Sequence, residues 1–288
     1  MMSDRYRELY VTSMGGTVMR NLKKHRRFIS LFVLFSLLSI GVLQWMGFFL
    51  FTDDLAQEII RDTSIRIGVA NVFVVLLTYL GFRLFQKPLL SWVGVSIVMI
   101  PGLIIAINNF PISAYLAQRA MITQPVHGVW LYAIECGSIG LMEEILFRGV
   151  ILVVLMQHFP KDRAGHFAAI LVSSAIFGLV HLLNLFAGAS FLDTLLQVGY
   201  SFLMGCLWAV VYLATRNLVF SMILHALYNF CGSVMFRMGT VVDRFDAITI
   251  AITVILALAA TLFYLVVFRR LKKATVESIY VLIPEAEK

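Results

Sequence analysis

Charge is scarce in this chain: Asp, Glu, Lys and Arg make up only 14% of its 288 residues, against 60% hydrophobic residues. That balance lies far outside the range of soluble domains, and a water-soluble fold could not hide so much apolar surface. Cysteine is scarce too, with three residues, Cys136, Cys206 and Cys231. Each falls inside an apolar run, where a thiol behaves as a small hydrophobe, so no extracellular disulfide framework and no redox role is expected. Also missing are a Gly-rich phosphate loop, a Gly-x-Ser-x-Gly elbow and a His-Glu-x-x-His zinc signature, which removes the usual soluble nucleotide-binding and hydrolase readings. No internal repeat or low-complexity tract is present.

What the chain does have is apolar material in blocks of about 20 residues, the length that crosses a bilayer as a helix. Runs bounded by charge or turn residues predict spans near 28–51, 66–85, 89–108, 128–157, 165–187, 192–214, 217–236 and 247–268. The expected fold is all-α: a polytopic membrane bundle of about eight transmembrane helices. Residues 1–27 read as a basic cytoplasmic segment, 28–270 as the transmembrane domain and 271–288 as a cytoplasmic tail. The first block is too long for a signal-peptide core and has no small-residue cleavage site after it, so it is expected to stay as an anchor. The loop Asn109 to His127, with Pro111 and Pro125, is the one long connection and reads as interfacial.

The net charge of +7 comes from basic residues that flank the apolar blocks. With both ends in the cytoplasm, 17 of the 23 Lys and Arg fall on the inner side, among them Arg20, Lys23, Lys24, Arg26 and Arg27 before the first block and Arg269, Arg270, Lys272 and Lys273 after the last. This is the positive-inside pattern, and it points to a bilayer partner and away from nucleic acid. The pattern fits a bacterial plasma membrane.

The exception is Arg148, which the spans put in mid-membrane, where a charge costs about 2.5–3.5 kcal/mol and needs a partner. It belongs to Gly140-Leu-Met-Glu-Glu-Ile-Leu-Phe-Arg-Gly149. Glu144 and Arg148, four apart, can pair on one helix face. Glu143 is turned about 100° from Glu144, so its partners must come from other helices, the setting of a general base. The fifth span supplies Phe177 and, four residues on, His181, with the ring placed to wall off the imidazole; Asn184 is a candidate acceptor for a ring N–H of His181. The seventh supplies His225 and Asn229, one turn apart, which could donate to an oxyanion in a dry site. Three helices bringing polar groups at helical spacing point to one shared site. His25, His127, His158 and His166 fall at predicted helix ends.

Together these residues resemble the CPBP (Abi) family of intramembrane proteases, which includes type II CAAX prenyl endopeptidases and bacteriocin-processing or self-immunity relatives. Glu143-Glu144-x-x-x-Arg148 resembles the first family motif, Phe177-x-x-x-His181 the second and His225-x-x-x-Asn229 the last; the resemblance spans Trp130 to Phe236, within an expected protease core of about 128–236. It implies peptide-bond hydrolysis in a conical helical bundle, with Glu143 and His181 activating water, His225 and Asn229 stabilising the oxyanion, and Glu144 and Arg148 in support. The family is usually labelled metalloprotease, so Glu143, His181 and His225 stand either as zinc ligands or as direct acid-base groups. The substrate implied is a membrane protein or peptide, whether prenylated, leader or signalling. A non-catalytic scaffold or bacteriocin self-immunity protein would keep the same cluster as structural glue; a transporter would show an inverted repeat or broken helices, and none is evident.

Overall fold

The computed structural model describes residues 31–242, apart from Val33, and residues 246–280. The basic segment 1–27 with His25, Arg244 and the end of the tail lie outside the described residues. In chain order the helices are α1 (Leu34–Leu50), α2 (Asp54–Tyr79), α3 (Trp92–Asn108), α4 (Ile112–Leu116), α5 (Val126–Glu144), α6 (Val153–His158), α7 (Arg163–Val180), α8 (Phe191–Thr215), α9 (Leu218–Arg237), α10 (Ala247–Arg270) and α11 (Lys273–Tyr280). A π-helical segment, Ile145–Leu152, joins α5 to α6, and a 3-10 segment, His181–Leu185, extends α7.

The protein is a helical membrane protein. Among the described residues four helices are long and apolar enough to cross a bilayer: α7 with its extension, α8, α9 and α10; α1 and α3 are apolar but shorter. The helix expected over 66–85 instead begins at Asp54, because Asp53 caps it by accepting from the Ala56 amide at 2.7 Å, and it stops at Tyr79 before Gly81 takes a φ of +90°. Among the described residues the other expected apolar runs coincide with helices to within a few residues, whereas α4 and α11 fall in segments read as a loop and a tail.

Helix α8 is the centre of the bundle. Two thirds of its most apolar stretch is buried (67%), against 11% for α10, whose apolar side chains face outward. Trp208, Tyr212 and Leu213 of α8 pack in the main core with Leu152, Leu218, Leu224 and Tyr264. Close helix approach depends on small residues, as expected where lipid gives apolar side chains no reason to leave it. A Cβ on Gly178 would lie 2.8 Å from the Val198 carbonyl oxygen, and one on Gly205 2.9 Å from Ser174. These contacts hold α7 against α8.

At the opposite end from α11, the sequence hides a short antiparallel ladder. Strand β1 (Ala120–Ile122) pairs with β2 (Gly239–Val241), tying the α4–α5 connection to the end of α9. Asp246 caps α10 by accepting from the Thr249 amide at 2.8 Å, accepts the Ser113 hydroxyl, and lies 3.6 Å from Arg119. These donors, the Ser113 hydroxyl foremost, hold its carboxyl down at about 2. Outside the helices, Arg216 has its guanidinium pushed down from the ordinary arginine range by burial and by neighbouring Arg83.

Candidate active site

The site starts where α5 ends. Glu144 and Arg148 are fully buried, and their side chains meet at 2.7 Å. Each would be costly alone in a dry interior, and the four-residue spacing lets one neutralise the other within a single helical run. The run is not α-helical throughout: the π segment begins at Ile145, directly after the two glutamates. A π segment widens the turn, and such segments recur at functional sites.

Glu143 points elsewhere and finds its partner on α9. His225 lies between the two adjacent carboxylates, with Nδ1 2.9 Å from Glu144 Oε1 and Nε2 3.5 Å from Glu143 Oε2. A carboxylate already paired with Arg148 can only accept, so Nδ1 of His225 carries the hydrogen and Nε2 is left to the cavity side. α5 and α9 come close enough for this at Gly140, where a Cβ would lie 2.9 Å from the Met222 carbonyl oxygen.

Phe177 fills the space between the groups. Its ring centroid is 5.1 Å from that of His181, 5.7 Å from that of His225 and 4.8 Å from that of Phe147, and the Arg148 guanidinium carbon lies 4.6 Å from it. The edge-on ring walls off His181 as expected and also packs His225 and covers the buried cation. The acceptor for His181 is different from the one expected. Nδ1 lies 2.9 Å from the Phe177 carbonyl oxygen, while the Asn184 amide donates to Gln197 Oε1 at 2.8 Å. One turn back along a helix a carbonyl is already within reach, whereas Asn184 is drawn to α8.

These side chains open onto a cavity of about 480 Å³. Glu143, His181, His225 and Asn229 all line it, with Phe177 and Asn184; Glu144 and Arg148 lie behind it. Tyr132, Tyr200, Trp208 and Tyr228 add aromatic walls, and Asn109 and Thr253 bring α3 and α10 to the rim. Asn109 is anchored by donating to the Tyr228 carbonyl oxygen at 2.9 Å. A carboxylate, two imidazoles and a carboxamide facing one water-accessible space can move a proton, orient a water and donate to a developing oxyanion.

The three suggested zinc ligands do not fit that role. Among the described residues no group of three His, Cys, Asp or Glu side chains converges as a metal-binding set, so Glu143, His181 and His225 do not make one. Of the histidines expected at helix ends, His127 and His158 are exposed, but His166 is buried beside the α10–α11 junction. Sequence reasoning also missed a second interhelical ion pair, half-buried Arg66 of α2 with buried Glu135 of α5 at 3.0 Å. Its signal was available: an acid isolated in an apolar run requires a cation from another helix.

No curated protein and no solved structure gave a significant match to the chain. Residues 125–231, which contain all eight side chains singled out above in the motifs and their surroundings, match the family described as Rce1-like, type II CAAX prenyl endopeptidase, in agreement with the CPBP resemblance of the motifs in that segment.

Proposed function

We propose that this protein is an intramembrane endopeptidase that hydrolyses a peptide bond of a membrane-associated protein or peptide with a glutamate-activated water. One observation carries the reading: Glu143, His181, His225 and Asn229, from three helical segments, line a single cavity, and the imidazole beside Glu143 is oriented from behind by the buried Glu144–Arg148 pair.

In this mechanism a water between Glu143 and His181 adds to the scissile carbonyl carbon while Glu143 takes its proton. The carbonyl oxygen becomes an oxyanion that accepts from the Asn229 carboxamide and from Nε2 of His225. Because Nδ1–H of His225 is already given to Glu144, Nε2 must carry a second proton to donate, so His225 works as an imidazolium flanked by two carboxylates. The tetrahedral centre collapses as the C–N bond breaks, and Glu143 returns the proton to the leaving nitrogen. One water is consumed, and a carboxylic acid and an amine are released.

In the same reading the bundle has eight spans with both termini in the cytoplasm of a bacterial-type plasma membrane, and the substrate is a leader or signalling peptide or a prenylated C-terminal peptide, with bacteriocin maturation or immunity the favoured setting. The positive-inside distribution of Lys and Arg supports the orientation.

The test compares wild type with Glu143→Gln in detergent for cleavage of a membrane-peptide library by mass spectrometry, with and without a chelator. Wild-type-only cleavage, falling by about 10²-fold or more in the variant, is the expected result. Identical peptide profiles would reassign the chain as a scaffold or self-immunity protein, and chelator sensitivity would bring a metal into the reaction.

A further inference from the structure

Among the polar groups of the cavity that the hydrolytic steps leave unused, two carboxamides form a pair. Asn184, in the 3-10 segment, and Gln197, on α8, both line the cavity, and their carboxamides are joined by a single hydrogen bond of 2.8 Å. Neither side chain has another hydrogen-bond partner among the described residues. Two carboxamides joined in this way use one N–H and one oxygen between them. Whichever way the amides are turned, one NH₂ group and one carbonyl oxygen remain free to face the cavity. A paired donor and acceptor is the complement of a peptide group, which offers one C=O and one N–H.

The position of the pair matches that role. His181 and Asn184 are three residues apart in a 3-10 segment, where side chains three apart eclipse and the backbone rises about 2.0 Å per residue. Asn184 therefore sits about 6 Å along the same edge from His181. An extended peptide advances about 3.3 Å per residue, so this distance spans about two residues of substrate.

We infer that Asn184 and Gln197 form a clamp for the substrate backbone, holding an extended chain by a peptide group about two residues from the scissile bond. The inference rests on the proteolytic reading above. The clamp recognises main chain and not side chains, so it sets the register of the substrate while leaving its sequence free. Asn184 and Gln197 are positioning residues that take no part in bond breaking.

The experiment takes a peptide cleaved by wild type in the library and replaces its amides, one at a time and never the scissile one, with esters, which lack the N–H donor. KM and kcat are measured for wild type, Asn184→Leu and Gln197→Met, the last two probing the clamp from different segments should one fail to fold. The expected result is a single ester position, about two residues from the cut, that raises the wild-type KM about three- to tenfold with kcat little changed. Each variant should raise KM on the all-amide peptide by a similar factor and respond no further to that ester. A flat ester scan in wild type, or ester and variant effects that multiply, overturns the clamp. Absence of any wild-type cleavage is a different result: it removes the proteolytic reading, and the clamp with it.

Discussion

His225 and Glu144 are joined across two helices by a 2.9 Å contact from Nδ1 to Oε1, and the same carboxylate oxygen lies 2.7 Å from Arg148. Glu144 thus connects a buried cation to an imidazole at the cavity wall, and orients the second without reaching the cavity itself.

Replacing Glu144 by Gln should therefore affect stability before it affects chemistry. The amide oxygen can still accept from His225, but Arg148, 1% exposed, is left as an unmatched charge. The expected loss is about 3–5 kcal/mol, read as a drop in denaturation midpoint in detergent. The double variant Glu144→Gln with Arg148→Met should recover much of it without recovering activity. An unchanged midpoint in the single variant would remove Glu144 from its supporting role.

Phe177 is 3% exposed and touches both imidazoles and the cation. Phe177→Ala should cost about 3–5 kcal/mol through the cavity it leaves. Phe177→Leu keeps most of the volume and loses the aromatic edges, so it should lower kcat more than it raises KM. A KM-only change would mean that the ring shapes the cavity without ordering His181 and His225.

Gly140 and Gly137 provide a paired test on one helix. A methyl group at Gly140 meets backbone atoms of α9 at 2.9 and 3.1 Å, whereas at Gly137 nothing lies within 4 Å. Gly140→Ala should cost about 1–3 kcal/mol by forcing the helices apart, and it should reduce cleavage by moving Glu143 away from His225. Gly137→Ala should be neutral or slightly stabilising, because alanine is the better helix former. Equal effects in the two variants would show that the close approach is not what sets the site.

Asp246 gives a pH dependence away from the site. Its folded value is depressed from 3.8 to about 2, so its contribution to stability is complete above the ordinary carboxylate value and is lost as pH falls toward about 2. Amide exchange in β1, β2 and the start of α10 should accelerate over that window. Asp246→Asn should show faster exchange already at neutral pH and little further change on acidification. Exchange in the wild type that stays constant down to about pH 2 would break the link.

The part of this architecture readable from the chain is the part that membrane physics makes conspicuous. Charges are rare in apolar runs, so Glu143, Glu144 and Arg148 stand out, and the four-residue spacing of Glu144 and Arg148 anticipates their observed pairing. The spacing of Phe177 to His181 likewise anticipates their ring contact. Other features depend on tertiary context that periodicity does not encode. Nothing in the residue types of Ile145–Leu152 distinguishes a π turn from an α turn. The β1–β2 ladder uses strands of three residues, too short to show alternation. His181 takes a carbonyl of its own helix over Asn184 because a bond within one turn needs no second element to be ordered first.

The Glu144–Arg148 pair has a consequence for biogenesis. Its two charges sit on one continuous helical run, so the segment can enter the bilayer with that pair already matched and without waiting for a neighbour. Glu143 differs: its imidazole partner is carried by α9, made about 80 residues later. Lateral docking of the two segments is thus what brings Glu143 against His225, and a nascent chain that has not yet released α9 into the membrane lacks that contact.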